Sequence, residues 1–518
     1  MQSGLGNFPP QSVRRRATAW GIILGYASVT LTITRNILLV PAYLHFVTLA
    51  EYGAWLATGA TAVQWLISDF GLSGVLMQRC AALHGAAETS RLGTTISSGL
   101  LAGFALALTL SLAAVVAIPH LPDIGSLTGA QSREVTHCLY IGVFAGALGI
   151  IAAIAQGLLR SLQHAAAAGS ITLAAELAGI VATLLGLAQG IGLVALAYGL
   201  LVRSAAAVAG QTLYLLTRSG IHLQRAHAPK LPVIRELFAD GWLSFISSLA
   251  MKTPTQANTL VIGYTLGPAS AAIYGLTVRA HEAALLFLGQ MNGAFAASMA
   301  HLWGSGNIDR FRVLVTRIAL VGALVTSVSM AVIVVTNAGF VALWLHSRGF
   351  AGQRTSILMA VAIWVSTAGY VAYDSLYAMG RFRIVARTFV CAAIVHVVAL
   401  LSLLRFGVWA APLSTLISTL IWGGAFWIQL RREIQLPLSD LRLIRKDFRT
   451  TGGCAAVVAI LFLLLVPMPG TWLGLAALAA GSAASAALLI LLVSPRIRSI
   501  LQIEALMTKR ALLARHRI

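Results

Sequence analysis

The chain contains 518 residues, of which 58% are apolar and 10% are charged, and it carries a formal net charge of +21. Its mean hydropathy of +0.86 is far above that of soluble domains, so the composition excludes a soluble globular protein and predicts an integral membrane protein. Long apolar runs favour spanning helices, whereas the alternating strands of a membrane barrel are not recognisable.

The N-terminal region carries three consecutive arginines, Arg14 to Arg16, ahead of the first long apolar run. No small-residue cleavage site closes a short apolar core there, so the pattern predicts a retained first span and not a signal peptide. The four cysteines show neither metal-ligand spacing nor an obvious pairing, and they indicate nothing about function.

Apolar runs of about 20 residues, enough to cross the bilayer as helices, predict fourteen transmembrane spans in an all-α polytopic membrane protein. The predicted spans cover about residues 18–44, 52–79, 94–118, 135–159, 168–188, 191–216, 238–265, 270–300, 313–336, 354–379, 385–404, 408–430, 450–466 and 471–493. The loops between them are short, so we expect no sizeable soluble domain.

The basic residues in the loops and near the ends of the spans fall on alternate sides of this predicted topology. One side collects 28 of them and the other only four, Arg133, Arg348, Arg354 and Arg405. Because basic loops resist translocation, the asymmetry predicts that both termini lie in the cytoplasm. The basic residues that give the net charge are dispersed over loops that are separated by membrane spans, so no nucleic-acid partner is expected.

A weak internal repeat indicates the domain organisation. The sequence AEYG at Ala50–Gly53 recurs in part as AIYG at Ala272–Gly275, an offset of 222 residues. Because this offset preserves the side from which each span enters, it favours two parallel six-helix lobes followed by two extra C-terminal helices. The predicted parts are an N-terminal lobe 1–217, a basic cytoplasmic linker 218–237, a C-terminal lobe 238–430, a basic cytoplasmic loop 431–449, spans 13 and 14 at 450–493, and a basic cytoplasmic tail 494–518 that is either solvated or laid on anionic headgroups.

Ionisable residues inside the predicted spans are few. Each is a functional hypothesis, because a charge in hydrocarbon is costly unless it meets a cavity or a partner. The basic ones are Arg35, Arg203, Lys252 and Arg279. The acidic ones are Asp69, Glu176, Glu282 and, nearer the membrane edges, Asp240 and Asp374, and the protonatable histidines are His281 and His396.

Four cations spread over both predicted lobes suit a receptor for an anion, since the planar guanidinium of arginine matches phosphate oxygens. Arg279 and Glu282 stand three residues apart on one helix face, so they can pair while no substrate is bound. The structural alternative is that such charges neutralise one another within the helix bundle, Arg35 with Asp69 for example.

Two prolines, Pro41 and Pro254, lie in or near the first and seventh spans, which would lead their lobes. Each is interpreted either as a hinge between transport states or as an ordinary tolerated kink. No catalytic constellation, metal-ligand cluster or Walker loop is recognisable, so we expect a secondary transporter without a cofactor and not an enzyme.

The segment around the first two spans resembles a known family. Its sequence TRNILLVPAYLHFVTLAEYGAWLATGATAVQWLISDFGLSGVLMQR is similar to the start of the flippases for O-antigen, capsule and exopolysaccharide units, which belong to the multidrug/oligosaccharidyl-lipid/polysaccharide exporter (MOP) superfamily. The turn LGPASAAIYGLTVRA, which contains Arg279, is similar to the corresponding turn of that family. The matching residues of the first segment are Arg35, Tyr52, Gly53, Asp69, Gly71, Leu72 and Arg79.

This resemblance implies two six-helix lobes around a cationic central cavity and alternating access between inward- and outward-facing states. It implies that a glycan unit linked to undecaprenyl pyrophosphate moves from the cytoplasmic to the periplasmic leaflet of the bacterial inner membrane, coupled to a gradient of H⁺ or Na⁺. The expected partners are this lipid-linked oligosaccharide, membrane lipids, a polysaccharide polymerase and glycosyltransferases.

The resemblance also implies roles for the intramembrane charges. The residues that would meet the pyrophosphate are Arg35, Arg203, Lys252 and Arg279. The candidates for gating or ion coupling are Asp69, Glu176, Glu282 and Asp374. Asp69 is predicted to face Arg35 or the cytoplasmic gate and to hold one conformer closed, so normal transport by Asp69→Asn would contradict that role.

Other functions remain open from the residues alone. A multidrug exporter handles mostly cationic substrates, which an arginine-rich cavity disfavours, whereas a peptidoglycan-precursor flippase would share the fourteen spans. A membrane glycan polymerase or ligase would act on the same lipid-linked donor, although the external loops near 119–134 and 337–353 are short for catalysis. A scaffold that recruits glycosyltransferases through its basic loops is the remaining alternative.

Overall fold

The computed structural model describes residues 27–499 and 502, except 28–29, 33, 36–38, 60–70, 86–87, 121–128, 163, 219–227 and 346–348. Helices account for most of this part of the chain, and it contains no β-strand. The predicted all-α class is therefore confirmed. The chain divides into two compact units, Met1–Ala272 and Ile273–Ile518.

In the first unit, a helical stretch at residues 39–46 precedes the first named helix. The helices are α1 (Leu49–Ala54), α2 (Leu72–Gly85), α3 (Thr89–Ala117), α4 (Gly129–Ser161), α5 (Ala165–Ala188), α6 (Val194–Arg218) and α7 (Leu231–Thr265). Helix α1 continues as a π-helical turn, Trp55–Gly59. The division between the two units falls within α8 (Pro268–Thr277).

The second unit is built around one long helix, α10, against which α11, α14 and α15 pack. The helices are α9 (Arg279–Gly304), α10 (Ile308–Leu345), α11 (Gln353–Ala378), α12 (Phe382–Leu403), α13 (Ala410–Ile434), α14 (Leu438–Leu465) and α15 (Trp472–Val493). Helices α14 and α15 are the two predicted extra helices. Their buried residues Val458 and Leu478 join Val334 of α10 in a common apolar cluster.

Within the described residues, 10 helices are long and apolar enough to cross a membrane, and a bent pair makes up to 11. The 10 coincide with predicted spans 3–6 and 9–14, and the bent pair, α8 and α9, coincides with span 8. Helix α7 occupies the predicted seventh span and is not among these candidates. More than half of predicted span 1 lies outside the described residues, as does the middle of predicted span 2, residues 60–70. The chain is thus a multi-pass membrane protein.

Helix α7 begins at Leu231, inside the segment predicted to be a linker, 218–237. Leu237 is fully buried among apolar residues of α2, α3 and α4, and the Lys230 N–H donates to Ser98 Oγ at 3.0 Å. The first turns of α7 are therefore packed helix, and contacts place the whole of α7 in the first unit. The lobe boundaries drawn from the sequence remain a prediction, as does the hinge role of Pro254, which lies inside α7.

Helix α1 begins with a capping box. Thr48 Oγ1 accepts the Glu51 N–H, and the Glu51 carboxylate accepts the Thr48 N–H. Gly53 lies so close to α8 that a Cβ there would overlap the carbonyl oxygen of Pro268 and contact the Cβ of Ala272. Within the Tyr-Gly pair of the predicted repeat, the glycine is thus a position where no side chain fits.

Candidate functional site

Glu176 lies in the middle of α5 and binds two arginines at once. Its Oε2 accepts a hydrogen bond from Arg35 Nη1 at 2.6 Å, and its Oε1 accepts one from Arg203 Nη1, on α6, at 2.8 Å. Both carboxylate oxygens are engaged, each by a different guanidinium. We call these three residues the Arg–Glu–Arg cluster, and all of them belong to the first unit.

The Arg–Glu–Arg cluster carries an unbalanced charge, since two guanidinium groups share one carboxylate and leave a net charge of one positive unit. The side chains of Arg35, Arg203 and Glu176 are 26%, 28% and 14% exposed, so the cluster is sheltered but not closed. A guanidinium has several N–H donors in a planar fork, and among the described residues only one from each arginine is used. The remaining donors can bind another acceptor.

Close packing of α5 against α6 brings Glu176 and Arg203 to similar depths along the two helices. A Cβ on Gly179 would lie 2.8 Å from the Gly199 carbonyl oxygen and 2.8 Å from the Arg203 Cβ. A Cβ on Gly199 would overlap the hydroxyl of Thr183, which donates to the Gly179 carbonyl at 2.9 Å. Because Gly179 is one turn after Glu176 and Gly199 one turn before Arg203, the glycines bring these two side chains together.

Lys252 lies in α7, also in the first unit, and its side chain is half-buried. None of the ion pairs of the described residues involves it. An ammonium group in a predicted span that lacks a carboxylate partner is costly unless water or a ligand anion solvates it. Lys252 is therefore a further cation of this unit, in addition to Arg35 and Arg203, that can serve an anionic ligand.

Arg279 and Glu282 form the ion pair that their spacing predicts. Arg279 Nη1 donates to Glu282 Oε2 at 2.9 Å, and the two side chains are 18% and 27% exposed. They lie in the first turn of α9, immediately after the bend of 48° that separates α9 from α8. This pair belongs to the second unit.

The other candidate residues named from the sequence are not part of the Arg–Glu–Arg cluster or of the Arg279–Glu282 pair. Asp374 lies half-buried in α11, between Tyr373 and Tyr377, whose rings are 5.8 Å apart, and no ion pair joins it to a described cation. His281 and His396 are fully buried in the second unit. Asp69 lies outside the described residues, so its predicted contact with Arg35 stays a prediction.

Sequence reasoning missed the partners of several charges. It named Asp69 as one example of a counter-ion for Arg35, a contact that stays a prediction, and it did not name Glu176, which pairs with Arg35. It also gave no partner for Arg79, which pairs with Glu236 of α7 at 2.9 Å. Glu236 lies in the stretch interpreted as a linker, and only the apolar residues around it, such as Leu237, could have indicated a helix there.

Comparisons with known proteins agree with this fold. The profile of a family described as "Polysaccharide biosynthesis protein" matches residues 29–303. A search of curated proteins found no match.

Solved structures show the same architecture at low sequence identity. An inward-facing multidrug resistance MATE family transporter of the MOP superfamily is 14% identical, with 75% of this chain and 93% of that chain covered and a TM-score of 0.64. A MOP superfamily transporter from Pyrococcus furiosus is 14% identical over 81% and 95%, with a TM-score of 0.62. The eukaryotic MATE transporter AtDTX14 is 18% identical over 84% and 99%, with a TM-score of 0.62. The chain thus has the fold of MOP-superfamily transporters.

Proposed function

This chain belongs to the polysaccharide biosynthesis protein family, and from that membership we propose that it is a flippase. Its substrate is a glycan unit linked to undecaprenyl pyrophosphate, which moves from the cytoplasmic to the periplasmic leaflet of a bacterial inner membrane by alternating access. Both termini are cytoplasmic, and transport is coupled to a gradient of H⁺ or Na⁺. A polysaccharide polymerase and glycosyltransferases act on the same lipid-linked unit.

The observation that carries this proposal is the net positive charge of the Arg–Glu–Arg cluster. A pyrophosphate carries several acceptor oxygens, and guanidinium groups bind such oxygens through short, charge-assisted hydrogen bonds. Arg35 and Arg203 are held apart by the two oxygens of one carboxylate, a separation that also suits two phosphate oxygens. Lys252 and Arg279 supply the remaining cations of the substrate site.

Glu176 acts as an internal counter-ion in this mechanism. It neutralises part of the arginine charge while no substrate is bound, and the incoming pyrophosphate competes with it for the same guanidinium groups. Glu282 does the same for Arg279. When the substrate leaves, the carboxylates pair with the arginines again, so the protein does not retain the pyrophosphate after transport. Asp69 and Asp374 remain candidates for gating or ion coupling.

Depletion of the protein in its host tests this function. We expect finished lipid-linked glycan units to accumulate while surface glycan falls, because units stay in the cytoplasmic leaflet. Wild-type protein should reverse both changes, and the Arg35→Ala/Arg203→Ala variant should not. Arg91→Ala is the matched control, since Arg91 is an exposed arginine paired with Glu88 at 3.0 Å.

The alternatives give different results in the same experiment. Unchanged lipid intermediates with altered tolerance to drugs would favour a multidrug exporter and would overturn the proposal. A polymerase or ligase predicts accumulation in the periplasmic leaflet, which is distinguished by adding an impermeant glycan-modifying enzyme to spheroplasts. A scaffold predicts no movement of the lipid by purified protein in liposomes.

A further inference from the structure

The span formed by α8 and α9 is broken at Val278, where the two helices are bent by 48°. Thr277 is the last residue of α8 and Arg279 is the first residue of α9. No proline lies at this point of the sequence, so the bend is not a proline kink, and the contacts that other helices make on either side of it can stabilise it. Whatever fixes the bend also fixes the direction of Arg279.

Asn337, on α10, holds the end of α8. Its Nδ2 donates to the Thr277 carbonyl oxygen at 3.0 Å and to Ser356 Oγ at 3.0 Å, and its side chain is 1% exposed. The last carbonyls of a helix lack a partner within the helix, and in a membrane interior such a group is costly unless another donor satisfies it. Asn337 supplies this donor from 60 residues further along the chain.

Two further contacts hold the residues on either side of the break. Thr277 Oγ1 accepts the Ala351 N–H at 2.8 Å, and beyond the break His281 Nε2 lies 3.0 Å from the Ser356 carbonyl oxygen. Thr277, His281 and Ser356 are all fully buried. Because Ser356 also receives the Asn337 amide, α10 and α11 hold both sides of the break in one polar network.

We propose that Asn337 is a positioning residue for substrate binding, because its amide fixes the bend at Val278 and so directs Arg279 at the pyrophosphate. This inference rests on the proposed function, in which Arg279 is one of the cations that bind the substrate. Asn337 itself touches no substrate. It acts on Arg279 through the Thr277 carbonyl, two residues before the arginine.

The geometry gives the expected size of the effect. A binding site needs its donors placed within about 0.5 Å, whereas one helical turn is about 5.4 Å long. A change in only part of the 48° bend therefore moves the first turn of α9 by more than the site tolerates. Loss of the Asn337 amide should weaken substrate binding by roughly 10- to 100-fold, although Arg279 is still present.

A double-mutant cycle on the full-length protein in nanodiscs tests this coupling. The probe is undecaprenyl pyrophosphate, and the readout is its dissociation constant for the wild type, Arg279→Ala, Asn337→Leu and the double variant. Leucine removes the amide while keeping a similar volume. We expect Asn337→Leu to weaken binding in the wild-type background and to have no further effect in the Arg279→Ala background.

Gln353 is the matched control. Its Nε2 also donates between α11 and α10, to the Val334 carbonyl oxygen at 2.7 Å, and it makes no hydrogen bond to α8 or α9 among the described residues. Gln353→Leu therefore removes an equivalent amide without loosening the bend. Its effect on the dissociation constant should be small and equal with and without Arg279.

Each remaining outcome decides the matter. If Asn337→Leu weakens binding by the same factor in both backgrounds, the positioning role is overturned while the role of Arg279 stands. If Arg279→Ala leaves binding unchanged, the assignment of Arg279 in the proposed function fails and the inference fails with it. If Asn337→Leu does not fold, Asn337→Ala, which also removes the amide donor to the Thr277 carbonyl, takes its place in the cycle, and additive effects of that variant with Arg279→Ala would equally overturn the inference.

Discussion

At Glu176 one carboxylate pairs with two guanidinium groups. This excess of one positive charge decides how the Arg–Glu–Arg cluster binds an anion. A one-to-one pair would be neutral, and an anion would have to displace the carboxylate completely in order to bind. With two cations, an anion can bind first to the uncompensated charge and then compete for the donors that Glu176 occupies. The carboxylate therefore lowers the affinity for the anion without abolishing it.

Replacement of Glu176 by glutamine should show this competition. Glu176→Gln removes the negative charge while keeping the size of the side chain, so Arg35 and Arg203 become fully available. We expect the affinity for undecaprenyl pyrophosphate to rise by about 10-fold, equivalent to about 1.4 kcal/mol. The melting temperature should fall, because two sheltered cations then repel each other without a counter-ion. Binding in nanodiscs and thermal unfolding measure the two effects.

Glu236→Gln is the control for this prediction. Glu236 also pairs with an arginine, Arg79, but its side chain is 62% exposed, and exposed pairs contribute little. Both the affinity and the melting temperature should stay at the wild-type values. Weaker or unchanged binding by Glu176→Gln would contradict the idea that Glu176 competes with the substrate.

Among the helices, the pairing of α5 with α6 could have been predicted from the sequence. The two spans are joined by a short turn, so they are antiparallel neighbours. Glu176 lies 188 − 176 = 12 residues before the end of α5, and Arg203 lies 203 − 194 = 9 residues after the start of α6. At about 1.5 Å per residue these distances are about 18 and 14 Å, so the opposite charges lie at similar depth.

Other contacts could not be predicted in this way, because they join helices that are distant in the chain. Arg35 reaches Glu176 across 141 residues, and no local pattern specifies that approach. The bend at Val278 was likewise missed, since residues 270–300 were predicted as a single span. The bend depends on the amide of Asn337. This residue lies in α10, which begins at Ile308, thirty residues after the break at Val278.

The α5–α6 interface predicts a strong effect of a single methyl group. In Gly179→Ala the new Cβ would lie 2.8 Å from the backbone oxygen of Gly199, so the two helices must separate. We expect a destabilisation of about 1–3 kcal/mol, together with weaker binding of undecaprenyl pyrophosphate, because Glu176 and Arg203 move apart. Thermal unfolding and binding in nanodiscs measure these changes.

Gly74→Ala provides the comparison for this variant. Gly74 is a helical glycine of α2 with open space where its Cβ would be, so alanine should leave stability unchanged or raise it slightly through better helix propensity. Equal melting temperatures for Gly179→Ala and Gly74→Ala would show that close packing of α5 and α6 does not hold the cluster.

For the whole molecule, the direction of transport depends on which side of the membrane each turn faces. Family membership identifies a polysaccharide biosynthesis protein, and the fold is that of MOP-superfamily transporters, but the orientation is inferred from the distribution of basic residues. Consecutive spans that are joined by short loops cross the membrane in alternating directions, so the sides of a few turns suffice to fix the orientation of all the predicted spans. If the orientation were reversed, the basic side would face the periplasm and the proposed export would become import.

Cysteine labelling tests this orientation. In a background with the native cysteines replaced by alanine, Gln189→Cys and Phe406→Cys lie in exposed turns after α5 and α12. Ser305→Cys lies in the exposed turn after α9, and Ser439→Cys lies in the exposed first turn of α14. Several arginines lie near each position of the second pair, whereas Arg405 alone lies near the first pair, and basic turns are retained in the cytoplasm. An impermeant maleimide should therefore label positions 189 and 406 in intact spheroplasts, and positions 305 and 439 only after the membrane is disrupted. Labelling of all four positions from one side would contradict the alternation of the spans, and the opposite pattern would reverse the proposed direction of transport.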